Sequence, residues 1–249
     1  MDSLDKFLGF HIDKITANRG IPIDLEAVSA DIGAVVEERE MIPEAAMHPR
    51  ERRFYIYIQS NFKDLPGNAL RRRFSWAHEI GHTLFFEQRD GELKARADAP
   101  RGDALESACH RAASMILIPG KALRAELQNQ KLDGAARIRE LADRFEVSVE
   151  VMLRRLNEFS LLKDGWAPVL TRRIGRNLTV EFAACPIWLK PYLAIPKRGV
   201  EFSSWFRATE QSNRILRKQI GDATVEASPV DVTNSLVIFE LRLQTSKAL

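Results

Sequence analysis

Two histidines four positions apart, with a glutamate beside the first, constrain this chain more than any other feature: His78-Glu79-Ile80-Gly81-His82. Leu70, Phe74, Ala77, Gly81 and Leu84 recur at spacings of three and four, which predicts a helix from Asn68 to about Glu87. On such a helix both imidazoles project from one face, about one turn apart, and that separation suits two ligands on one Zn²⁺. Glu79 stands where it would take a proton from a water on the metal rather than bind the ion. Gly81 has no side chain, so a second element can approach the helix closely there. The plain alternative is a helix whose two histidines are surface or core residues.

A catalytic zinc takes a third protein ligand and keeps a fourth position for water. A second helix is predicted from Asp103 to Ile118, ended by Pro119-Gly120, and it offers Asp103, Glu106 and His110. Glu106 and His110 are four apart and share a face, so either would reach the ion. Upstream, Phe54-Tyr55-Ile56-Tyr57-Ile58 reads as a strand, with a turn at Pro66-Gly67. The segment from Phe54 to Ser60, carrying Tyr55 and Tyr57, is the candidate edge along which an extended substrate would lie. The alternative is that the two tyrosines pack or face solvent. Arg71-Arg72-Arg73 reads as a solvated helix face, or as an attraction for an acidic partner.

The stretch Arg71-Arg72-Arg73-Phe74-Ser75-Trp76-Ala77-His78-Glu79-Ile80-Gly81-His82 resembles the ImmA/IrrE family of bacterial zinc metallopeptidases. So does the block Glu106-Ser107-Ala108-Cys109-His110-Arg111-Ala112-Ala113-Ser114-Met115-Ile116-Leu117-Ile118-Pro119. The likeness spans about residues 5 to 160. It implies a zincin-like peptidase whose third zinc ligand is Glu106, with Glu79 as general base. Mn²⁺ or Fe²⁺ would also suit two histidines and a carboxylate. The family more often has Asn at the position of His110. That departure leaves three roles open for His110: a further ligand, a hydrogen-bond partner that orients Glu106, or a donor to the developing oxyanion. The implied substrate is a protein, a helix-turn-helix transcriptional repressor whose cleavage relieves repression in a stress or mobile-element response. The rival readings are a DNA-binding or anti-repressor regulator that works by binding alone, and a regulator that senses the metal.

Elsewhere the chain reads as α+β. Ser3 and Asp24 are placed to cap helices carrying Leu4, Phe7, Leu8, Ile12 and Ile15, then Leu25, Val28 and Ile32, the first ending at Gly20-Ile21-Pro22. Arg89 to Gly102 is polar and reads as a loop. Helices are predicted over about 121–130, 135–145 and 148–160, the last capped by Ser148, and the final two look like a helix-turn-helix. Its five arginines face four carboxylates, a poor balance for a phosphate-driven interface, so direct DNA binding stays a secondary option. Beyond Gly165 prolines recur, and β-like runs at Thr179–Phe182 and Leu236–Leu243 suggest a small mixed α/β regulatory or sensor-like domain containing Trp188, Trp205 and Phe206. The expected domains are therefore 1–120 (peptidase), 121–163 (helical unit) and 164–249. A net charge of +3 over 249 residues does not by itself imply a nucleic-acid partner. Two cysteines, Cys109 and Cys185, exclude a disulfide framework. With no secretory leader and no apolar run long enough for a bilayer, the chain is expected in the cytoplasm, away from membranes.

Overall fold

A computed structural model of the chain describes residues 3–61, 68–129, 134–159, 161, 166–174, 177–183, 216–220, 223–232 and 236–245. The chain divides into two compact units, residues 1–129 with 143–148, and residues 130–142 with 149–249. Each is described by itself.

In the first unit, helix α1 (Ser3–Thr16) buries Leu8 and Ile12, one turn apart on one face. Helix α2 (Leu25–Asp31) starts as expected at Asp24, whose carboxylate accepts the backbone N–H of Ala27 at 3.0 Å. Three strands follow: β1 (Ala34–Arg39), β2 (Ala45–Arg50) and β3 (Arg53–Gln59). They form one sheet in the order β1-β3-β2, with β1 parallel and β2 antiparallel to β3. Phe54, Ile56 and Ile58 alternate along β3 and are buried, as one face of a sheet requires. Helix α3 (Asn68–Thr83) packs against β2, β3 and helix α4 (Asp103–Leu117). Helix α5 (Gly120–Asn129) follows at Pro119.

Helix α3 stops earlier than its periodicity predicts. The N–H groups of Leu84 and Phe85 turn back to the carbonyls of Gly81 and His82, each at 3.2 Å, a tightened last turn. Phe86 then enters strand β4 (Phe86–Arg89), which pairs with β5 (Glu92–Ala95) where a loop is expected. The link is Asp90-Gly91, both at positive φ (54° and 80°), the chemistry of a two-residue hairpin turn.

The second unit holds most of helix α6 (Gly134–Arg144), helix α7 (Val149–Glu158) and a five-stranded antiparallel sheet. Strands β6 (Trp166–Ile174), β7 (Asn177–Ala183), β8 (Leu216–Ile220), β9 (Ala223–Val232) and β10 (Leu236–Thr245) are ordered β7-β6-β10-β9-β8. From Trp166 on, every element among the described residues is a strand, and the residues between β7 and β8, part of the mixed α/β tail expected there, lie outside the described residues. Pro66-Gly67, Gly165, Cys185, Trp188, Trp205 and Phe206 lie outside the described residues. No helix among the described residues is long and apolar enough to cross a membrane.

Candidate metal centre

Helices α3 and α4 build the centre together, and Gly81 sets their separation. A Cβ placed on Gly81 would meet Ala112 Cβ at 3.1 Å, the carbonyl oxygen of Cys109 at 3.2 Å and its Cα at 3.4 Å. Any larger residue would push the helices apart. The close approach brings Glu106 of α4 over the two histidines of α3.

The geometry is a small triangle. His78 Nε2 lies 3.1 Å from His82 Nε2 and 3.2 Å from Glu106 Oε2, while His82 Nε2 lies 3.6 Å from Glu106 Oε1. Tetrahedral ligands about 2.0 Å from a zinc ion stand about 3.3 Å from one another, so the two imidazole nitrogens and the Glu106 carboxylate, one oxygen toward each histidine, are spaced close to the edges of such a site. The imidazoles also present the right protonation state. Burial, followed by the nearby His82 and His110, pushes His78 down to about 4 despite the opposing pull of Glu106. Burial likewise lowers His82. Near neutral pH both rings are uncharged, as a ligand must be.

Glu79 lies within 4.8 Å of both ligating nitrogens, so distance alone would admit it as a ligand too. Its surroundings differ from those of Glu106. Glu79 is 8% exposed, and burial raises its carboxyl from the ordinary range to about 7, with Glu106 adding to the rise and the Met47 backbone opposing it. A carboxyl poised near 7 is matched to proton transfer at neutral pH. The hydrogen bond from Met47 was not signalled by the sequence, because a backbone amide carries no side-chain mark.

His110 is exposed on α4. Its ring stacks on Phe74 (centroids 5.8 Å apart, 22° between planes) and lies 4.5 Å from the His78 ring. It borders the triangle without closing it.

The expectation that Phe54 to Ser60 is a substrate edge is corrected by the topology. Strand β3 is central, hydrogen-bonded to β1 on one side and β2 on the other, so its backbone has no open side. Tyr55 and Tyr57 stack on each other at 6.5 Å and are covered by Arg50 and Arg39. The edge strand beside α3 is β2. Gln59 donates to the carbonyl of Glu44 at 2.9 Å, and the register pairs Ala45 with Ile58. Alternation then turns Ala45, Met47 and Pro49 away from β3, which agrees with Met47 bonding Glu79.

The arginine run is engaged within the first unit. Arg71 pairs with Glu44, whose carboxylate also accepts from Ser75 Oγ at 3.2 Å. Arg72 bonds Glu38 at 2.6 Å, and Arg73 donates to the carbonyl of Ile23 at 2.5 Å. All three tie α3 to the elements before it. The arginines of α6 and α7 are similarly engaged. Arg137 pairs with Glu140, Arg144 with Glu126, Arg154 with Glu150 and Arg155 with Glu158. Arg137 and Arg155 are also buried.

Residues 55–157 match the IrrE N-terminal-like domain of the Peptidase M78 family. Among solved structures, a Mycobacterium tuberculosis transcriptional regulator is similar with a TM-score of 0.51 at 16% identity, over 97% of this chain and 76% of that one. At that identity the likeness is one of fold. No curated protein sequence matches.

Proposed function

We propose that the chain is a zinc-dependent, site-specific endopeptidase, a reading supported by the match of residues 55–157 to the IrrE N-terminal-like domain. The observation that carries this is the triangle of His78, His82 and Glu106 beside a buried carboxyl poised near 7. Those three residues would hold the ion, and Mn²⁺ or Fe²⁺ would fit the same donor set. When bound, the ion would supply Lewis acidity, lowering the pKa of a water and polarising a carbonyl. Glu79 accepts the proton in the attack and returns it to the leaving amine, with the Met47 amide fixing its carboxylate. A substrate in extended form lies along β2, the edge strand next to α3, and pairs with the backbone of Ala45 and the carbonyl of Met47, the Met47 N–H being held by Glu79. Pro49 has no N–H, so pairing along that edge is interrupted there. His110, beside His78 but outside the triangle, donates to the substrate oxygen or steadies Glu106.

The substrate class is a helix-turn-helix transcriptional repressor, and its cleavage relieves repression. Support comes from the match of residues 55–157 to the IrrE N-terminal-like domain. The test is incubation of the metal-loaded protein with the repressor encoded nearest its gene, beside Glu79→Gln. A discrete fragment pair from the wild type alone is expected, with Glu79→Gln slower by roughly 10²–10⁴-fold while still holding metal. An uncut repressor, or equal cutting by both proteins, would refute the assignment.

A further inference from the structure

A second feature of the first unit lies apart from the triangle. Between α1 and the segment after β5 is a cavity of about 270 Å³, walled by Leu4, Phe7, Phe85, Ala99 and Pro100, with Ser3, Arg96 and Asp98 at its polar side. At interior packing density that space holds a molecule of roughly ten non-hydrogen atoms.

Arg96 decides what such a molecule must carry. Its guanidinium lies over the Phe7 ring, 5.2 Å from the centroid. Its two carboxylate neighbours stand off, Glu87 at 3.7 Å and Asp98 at 3.5 Å. Its Nε is buried and makes no hydrogen bond. The Nε thus has an ion-pair neighbour in Asp98 but no hydrogen bond, uncommon for a buried donor, and a planar guanidinium fork is matched to a carboxylate. The walls are apolar and aromatic, so the rest of the ligand is apolar too.

We propose that this cavity is a binding site for a small amphipathic carboxylate, with an aromatic or branched aliphatic body against Phe7 and Phe85 and its carboxylate on Arg96. The site also touches the metal helix through backbone. Phe85 N–H bonds the carbonyl of His82 at 3.2 Å, and the Phe85 carbonyl accepts from Arg96 N–H at 2.9 Å. An occupant that fixes Phe85 therefore fixes the end of α3 that carries His82.

The probe is 3-phenylpropionate, titrated into the full chain by calorimetry or ligand-observed NMR. Saturable one-site binding is expected. Arg96→Met should weaken it about tenfold or more, and 3-phenylpropan-1-ol, neutral but of the same shape, should bind wild type weaker by a similar factor. Phe7→Trp, which fills the space, should abolish it. Absence of saturation by wild type overturns the proposal, as does Arg96→Met binding unchanged or the alcohol binding equally. Thermal unfolding checks that the variants fold. If Arg96→Met does not, Arg96→Lys keeps the charge and loses Nε, and carboxylate binding equal to wild type then overturns the proposal. The binding readout is independent of peptide cleavage and of metal loading.

Discussion

Gly81→Ala separates the role of helix spacing from the role of the ligands. Alanine in a helix interior is favoured over glycine by roughly 1 kcal/mol. Against that, the new Cβ would sit 3.1 Å from Ala112 Cβ and 3.2 Å from the Cys109 carbonyl, tighter than ordinary contact. Relief needs α4 to withdraw by a few tenths of an ångström, and overpacking of this kind costs about 1–3 kcal/mol. The two effects largely offset, leaving metal-free stability lowered by about 0–2 kcal/mol. The centre is less forgiving. Glu106 rides on α4, and its 3.2 Å and 3.6 Å separations from the histidines match a metal site only within about 0.2 Å per bond. Gly81→Ala should therefore melt within a few degrees of wild type yet bind zinc about tenfold or more weaker. Chelator competition measures the affinity, and thermal unfolding in chelator measures the fold. Zinc affinity equal to wild type would refute the claim that the α3–α4 spacing sets the third ligand.

Two further outcomes follow from the same site. Glu106→Ala should lower zinc affinity at least a hundredfold, and His110→Ala less than tenfold. Equal losses in chelator competition would make His110 a ligand. In the metal-free protein, Glu79→Gln should be stabilising above about pH 7, on the order of 2 kcal/mol, with the gain shrinking as pH falls. The sign follows from a carboxyl raised from 4.5 to about 7. The fold takes up a proton through that window that the unfolded chain does not, so Glu79 is a liability only when charged. Urea unfolding at about pH 5 and about pH 8 tests this, and a gap that widens toward low pH would contradict it.

What could be read from residue order was what depends on local spacing. The α3 and α4 faces, the Asp24 cap and the closeness required at Gly81 all rest on residues within a turn or two of one another. Strands β1 and β2 were missed because Ala34–Arg39 and Ala45–Arg50 lack clean alternation, and Pro49 speaks against a strand. The β4–β5 hairpin hid behind polar residues, although Asp90-Gly91 marked its turn. Whether β3 is central or edge is set by partners up to twenty residues away, β1 among them, and no pattern within Phe54–Ser60 encodes it. The arginine run looked like a solvated face because its partners, Glu44, Glu38 and the Ile23 carbonyl, are distant in sequence.

The two glutamates at the centre show where chemical role is decided. Glu79 and Glu106 have the same side chain, and both approach the two imidazoles. Glu106 is 54% exposed, and its oxygens face both Nε2 atoms, an arrangement suited to a ligand. Glu79 is almost fully enclosed, and its carboxylate is engaged by the edge strand through Met47, an arrangement for a group that gains and loses a proton. Exchanging those surroundings would exchange the roles. Placing Glu79 beside His78 on α3 is local, whereas burying it under β2 depends on the sheet order β1-β3-β2. In the proposed mechanism the base is thus set by the sheet, and the ligand by the glycine that lets α4 come close.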